Sequence, residues 1–146
     1  MALSKSPRKL VYIKVVALWR LAERKWGIAR ISKSDNCTAS VTRPAMPLKR
    51  WIIELEGARV LVSRVTRRGK VESFAVVLLI ETTTGWECAT RYDCAHGFAH
   101  RDVLGRRTGL LYKQSFEGLT HAQIFRHALR DFQENHPTYI AFYLAR

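Results

Sequence analysis

The chain has 146 residues, 47% of them hydrophobic and 25% charged, and its 25 Lys and Arg against 12 Asp and Glu leave a net charge of +13. That length supports one hydrophobic core and is short for two, and the apolar share excludes a largely disordered chain. An excess of this sign and size points to a polyanionic partner, whether nucleic acid, a membrane surface or an acidic protein.

The excess is concentrated at the start. Residues 1–50 hold 12 Lys and Arg against Glu23 and Asp35, which leaves 13 against 10 for residues 51–146. Within residues 1–31 the apolar positions Leu10, Ile13, Val16 or Ala17, and Leu21 recur every three to four residues, which predicts a basic amphipathic helix to about Trp26, while the β-branched run from Val11 to Val16 would serve equally well in a strand. The apolar run from Leu10 to Trp19 contains Lys14 and meets Arg20, so it falls short of the ~20 apolar residues of a spanning helix, and no membrane association is expected. Residues 32–49, with Ser32, Ser34, Asp35, Asn36, Pro44 and Pro47, read as a linker.

Residues 50–146 have the texture of an α+β domain. Trp51 to Glu56 and Arg59 to Val65 are strand candidates separated by Gly57, and Arg67-Arg68-Gly69-Lys70 supplies the next turn. Val71 to Glu81 is too apolar for an edge and suits a central strand; Thr84-Gly85 turns the chain, and Trp86 to Asp93 continues as a strand. Thr120 and Gln123 have capping-box spacing, and Ile124, Phe125, Ala128, Leu129 and Phe132 mark the apolar face of a helix to about Glu134, ended by Asn135-His136-Pro137. Tyr139 to Leu144 reads as a last strand or a short helix. The expected architecture is an antiparallel meander of three to five strands with the C-terminal helix on one face and the basic N-terminal helix added.

Chemistry is most concentrated in the segment from Arg91 to Asp102, read as a strand end and the loop after it. His96 and His100 have the proton affinity for acid and base roles near neutral pH, Asp93 is placed to orient a histidine, and Arg91 and Arg101 to hold phosphate. Together they could cleave RNA without a metal, so these five residues are the candidate catalytic set, and no cofactor is expected. The His96 and His100 spacing also admits a metal site completed by Asp93 or Asp102, although Gly97 and the strand context oppose it and no metal is expected. A structural alternative has Asp93 capping the turn, the arginines pairing with acids and the histidines bonding backbone carbonyls.

The candidate nucleic-acid-binding residues are Arg20, Arg24 and Lys25 in the basic segment and Arg64, Arg67, Arg68, Arg106 and Arg107 beyond it. Cys37, Cys88 and Cys94 are odd in number and widely spaced, which suits a reducing, cytoplasmic setting and leaves no Cys-x-x-Cys zinc element. No phosphate-binding glycine motif is present.

Arg91-Tyr92-Asp93-Cys94-Ala95-His96, then His100-Arg101-Asp102, Ser115 and the helix from Thr120, resemble the TumE-type toxins of toxin-antitoxin pairs. Those are small α+β proteins with a strand ending in an Arg-Tyr/Trp-Asp-Asn-Ala-Pro-His-His pattern. The likeness covers roughly residues 51 to 135. Cys94 stands where the pattern has asparagine, the proline and second adjacent histidine are missing, and Asp102 lies near an expected histidine. The resemblance implies a toxin acting on RNA or the translation machinery, neutralised by an antitoxin protein, with Arg91, Asp93, His96 and His100 as its site. The other readings are a non-catalytic nucleic-acid or ribosome-binding module, and a scaffold for an acidic partner protein.

Overall fold

The structure, a computed structural model, describes residues 48–146 together with Arg20, Arg24 and Lys25. The chain divides into two units, Met1–Arg30 and Ile31–Arg146. In the first, Arg20, Arg24 and Lys25 are helical and exposed, while the rest of the expected N-terminal helix lies outside the described residues, as does most of the expected linker.

The second unit is a six-stranded antiparallel sheet in simple chain order: β1 (Leu48–Leu55), β2 (Ala58–Arg67), β3 (Lys70–Thr82), β4 (Gly85–Asp93), β5 (His100–Gly105) and β6 (Gly109–Ser115). The helix α1 (His121–Ala145) comes after the last strand. Every connection between neighbours is short, so each strand pairs with the next and no crossover is needed. At the β2–β3 hairpin the two turn residues, Arg68 and Gly69, have φ of 49° and 75°, the left-handed pair that matches strand twist. β3, expected as a central strand, is buried without a break from Phe74 to Ile80.

The pairing register sorts the sheet into two faces. Trp51, Val62, Val76, Tyr92 and Arg101 lie in one cross-strand row, and this face carries α1. Val60, Val62, Phe74, Val76, Leu78 and Tyr92 pack there against Ile124, Phe125, Ala128 and Phe132 of the helix. Phe74 and Phe125 meet edge-on with centroids 5.7 Å apart, a favoured aromatic geometry. The opposite face is buried over β2 and β3 by Leu61, Val65, Ala75, Val77 and Leu79, and becomes ionic over β4 and β5.

Three expectations require correction. Among the described residues the strands number six, not three to five, because residues 100–115 form a hairpin where the sequence predicts a loop. Its signal is hidden: the inward positions of β5 on the ionic face are His100 and Asp102, so the apolar alternation that announces a half-buried strand is missing. Second, α1 does not stop at Asn135-His136-Pro137 but continues through Pro137 to Ala145. Third, Tyr139 to Leu144 is accordingly neither a strand nor a separate helix. Proline removes one i to i−4 hydrogen bond and crowds the preceding turn, yet Tyr139, Ile140 and Tyr143 prolong the apolar stripe and pack on the sheet. The helix start is as expected: Thr120 Oγ1 accepts from the Gln123 amide at 3.2 Å, and Gln123 Oε1 accepts from the Thr120 amide at 2.8 Å.

Candidate functional site

Strand alternation places Arg91 and Asp93 of β4 on the same face, and antiparallel pairing sets Arg91 opposite Asp102 and Asp93 opposite His100. The row extends one strand further, since Asp102 is paired with Lys113 of β6. Five charged or titratable side chains are therefore brought together by three strands, away from the face that holds α1.

Their geometry is close. Arg91 donates to Asp102 Oδ2 through Nε at 3.1 Å and Nη2 at 3.0 Å, and Arg91 Nε stands 3.7 Å from Asp93 Oδ2. His100 Nε2 lies 3.2 Å from Asp93 Oδ1 and 3.7 Å from Asp102 Oδ1. Lys113 Nζ reaches within 3.5 Å of Asp102 Oδ1 from a side chain that is 37% exposed. Asp93 Oδ1 also accepts from the Ala95 amide at 3.0 Å, closing the turn after β4. His100 Nδ1 is 3.2 Å from the Phe98 carbonyl. Both imidazole nitrogens thus face oxygen acceptors. His100 is 1% exposed and Asp102 2%.

Of the expected catalytic residues, the structure brings together Arg91, Asp93 and His100 and separates Arg101. His100 and Arg101 belong to a strand rather than a loop, so adjacent side chains point to opposite faces. Arg101 Nη1 donates to Tyr139 Oη at 2.5 Å and stands 3.6 Å from Asp131 Oδ2 on the helix side. His96 lies in the one-turn 3-10 segment Ala95–Gly97, and its side chain is outside the described set.

The network around Arg101 was not anticipated. Tyr92 and Tyr139 both donate to Asp131 Oδ2, at 2.7 and 2.6 Å, and Asn135 donates to Oδ1 at 2.8 Å. Burial works to raise the Asp131 pKa, but hydrogen bonds from Tyr139, Tyr92 and Asn135 and the Arg101 charge hold it below the ordinary value. Burial and the same carboxylate push both phenols up. Tyr92 is therefore a core residue whose hydroxyl fastens β4 to α1, in keeping with its alternation with Arg91 and Asp93. Asp102 in its structural role and Lys113 were likewise not among the predicted site residues. The signal that could have found them is the pair of period-two motifs Arg-x-Asp and His-x-Asp, mirrored across a turn, which is what two paired ionic strands look like in one dimension.

Within the second unit the predicted basic residues do not form a single surface. Arg67 and Arg68 are exposed in the β2–β3 turn, at the end of the sheet that also carries the β4–β5 loop. Arg106 and Arg107 lie in the β5–β6 turn at the other end, where Arg106 Nε is 3.4 Å from Glu87 Oε2. The Arg64 guanidinium stands over Phe125 and Trp51, 5.4 and 5.9 Å from their ring centroids, and so serves the β2–α1 contact. Arg20, Arg24 and Lys25 belong to the other unit.

Cys94 is bound to the Phe74 backbone, its Sγ accepting from the amide at 3.2 Å, and burial raises its pKa. Among the described residues nothing activates it as a nucleophile. Among the described residues no helix is long and apolar enough to cross a membrane.

No curated protein and no solved structure matches the chain. A family model described as "Domain of unknown function (DUF7718)" does match, over residues 46–146, which takes in the whole sheet, the ionic cluster and α1 and leaves the most basic part of the chain outside. The chain belongs to the DUF7718 family.

Proposed function

We propose that this protein binds RNA, or another nucleic acid, through the basic end of its sheet, with the buried ionic cluster organising that end rather than reacting. The observation that carries this reading is the β2–β3 turn. Arg67, Arg68 and Lys70 are all exposed there, and Asp93 pairs with Ala75, five residues into β3. At about 3.3 Å per residue the hairpin overhangs the level of Asp93 by roughly 16 Å. A two-residue turn with left-handed φ favours asparagine or glycine, and an arginine at position 68 gains nothing for the fold. An exposed guanidinium at such a turn suits phosphate recognition.

The cluster suits an organising role. Arg91 and Lys113 balance Asp93 and Asp102, and the bonds from Ala95 and to Phe98 tie the β4–β5 loop to the sheet. The decisive measurement is RNA affinity against salt concentration for the wild type and for Arg67→Glu with Arg68→Glu. The expected result is steep salt dependence, with the log-log slope reduced by about one for each phosphate contact removed. Affinity indifferent to salt and to both reversals overturns the proposal.

The second reading is a ribonuclease of a toxin-antitoxin pair, with an antitoxin protein as partner. The convergence of Arg91, Asp93 and His100 within 3.7 Å favours it. The 1% exposure of His100 and the diversion of Arg101 to the helix face count against direct attack on a polymer. Loss of RNA cleavage in a folded His100→Ala variant is what this reading requires.

A further inference from the structure

We infer that Asp93, His100 and Asp102 form a binding site for a divalent transition-metal ion of the Zn2+ or Mn2+ class. One donor atom from each lies within 4.8 Å of the other two, and all three residues are buried. With Nδ1–H donating to the Phe98 carbonyl at 3.2 Å, the neutral imidazole directs its Nε2 lone pair at the two carboxylates. A metal-ligating histidine is held in this way, its second nitrogen anchored on a backbone carbonyl. That lone pair faces Asp93 Oδ1 at 3.2 Å and Asp102 Oδ1 at 3.7 Å. Three acceptors so directed offer a cation a ready-made set of ligands.

The independent mark of the site is Asp102 Oδ1. It is buried and has no hydrogen-bond partner among the described residues, while Oδ2 of the same carboxylate takes both donors of Arg91. One carboxylate oxygen is thus occupied and the other left directed at His100. Donors about 2.1 Å from a common ion stand about 3.0 to 3.4 Å apart, so the pair at 3.2 Å fits and the others need contract by up to about 1.4 Å. One imidazole and two carboxylates suit Zn2+ or Mn2+, with coordination positions left open for water.

Lys113 is the local competitor. Its ammonium stands 3.5 Å from Asp102 Oδ1, too far for a strong hydrogen bond, on a 37% exposed side chain of the edge strand β6. Arg91 and Lys113 together already neutralise the two carboxylates, so a dication enters as Lys113 swings out to solvent. Removing that charge should tighten metal binding, which a merely structural ion pair does not predict.

The test uses the full-length protein, stripped with a chelator, in the absence of nucleic acid, so its outcome is independent of the RNA-binding proposal. Calorimetric titration with Zn2+ alone and Mn2+ alone should give one site. Co2+ should give a d–d absorption band of the bound ion. His100→Ala and Asp102→Asn should each weaken binding by at least about tenfold, Lys113→Met should strengthen it several-fold, and His127→Gln, on α1 against Tyr92 and so on the other face of the sheet, should leave it unchanged. If the first two variants fail to fold, Lys113→Met decides, and unchanged or weaker affinity there counts against the site. No one-to-one binding in the wild type, or undiminished binding in a folded His100→Ala protein, overturns the inference.

Discussion

His136 Nδ1 lies 3.2 Å from the carbonyl oxygen of Gln133, the oxygen that Pro137 leaves without its helical amide. In an uninterrupted helix the amide four residues on bonds that carbonyl, and proline has no N–H to offer. The residue that reads as a helix terminator is thus part of what lets the helix continue. His136→Ala should destabilise the protein by about 0.5–1.5 kcal/mol. In a Pro137→Ala background, where the amide returns, the same substitution should cost close to nothing. Chemical denaturation of the four proteins closes this double-mutant cycle, and equal losses in both backgrounds would show that the contact does not compensate the proline.

Arg68 sits at φ 49° in the β2–β3 turn, and a side chain in left-handed backbone costs about 1–2 kcal/mol relative to right-handed conformations. Arg68→Gly should therefore raise stability by up to about 1 kcal/mol while lowering affinity for RNA. Opposite movements in denaturation midpoint and binding are the expected signature. A variant that gains stability and keeps full affinity separates this arginine from any role in recognition.

The Asp131 network predicts the shape of the pH–stability curve at both ends. The folded-state pKa of Asp131 is depressed, so its contribution is present above its ordinary value of 3.8 and is lost as pH falls through the lower folded value. Tyr92 and Tyr139 are raised above their ordinary 10, so their contribution is intact below that pH and is lost as pH climbs toward the folded values. Asp131→Asn should flatten the acid limb, and Tyr139→Phe should soften the alkaline limb. Unfolding monitored by circular dichroism across pH, with phenolate absorbance at the alkaline end, reads both.

Within the ionic cluster the two partners of Asp102 should differ sharply in importance. Asp102→Ala leaves the Arg91 guanidinium, only 19% exposed, without its two-bond partner and should cost about 3–5 kcal/mol. Lys113→Ala removes a solvent-facing charge 3.5 Å away and should cost at most about 1 kcal/mol. Denaturant midpoints for the two variants give the comparison, and near-equal losses would contradict the burial argument.

Cys88 is buried, and burial first of all pushes its thiol up to about 12. It should resist alkylation near neutral pH in the folded protein and react once the chain is denatured, since only the thiolate is nucleophilic. Mass-spectrometric mapping of the labelled cysteine checks this, and rapid native labelling of Cys88 would mean that β4 opens locally.

Much of the fold was legible from residues alone because the signals are local. Gly57, Arg68-Gly69 and Thr84-Gly85 announce hairpin turns through the backbone angles they permit, the run from Phe74 to Ile80 announces a strand covered on both sides, and Thr120 with Gln123 announces a helix start by a bond spanning three residues. Any feature set by a single turn of backbone can be read in one dimension. The hairpin of residues 100–115 escaped because its inward positions are charged, and a charged residue reads as inward only when its partner across the sheet is known.

The same limit governs the Arg91 to Asp102 segment. Composition alone picked it out as the place where acids, bases and guanidinium groups meet. Which of them meet was decided by register: one residue of strand offset sends His100 to Asp93 and Asp102, and sends its neighbour Arg101 to Tyr139 and Asp131 on the far side of the sheet. Burial, too, was settled only in three dimensions, because a side chain is excluded from water by elements distant in sequence. The chain by itself determined that this protein is basic, α+β and rich in chemistry at one strand end. Only the pairing of β4, β5 and β6 decided that this chemistry is an ionic cluster in which one carboxylate oxygen has no hydrogen-bond partner among the described residues.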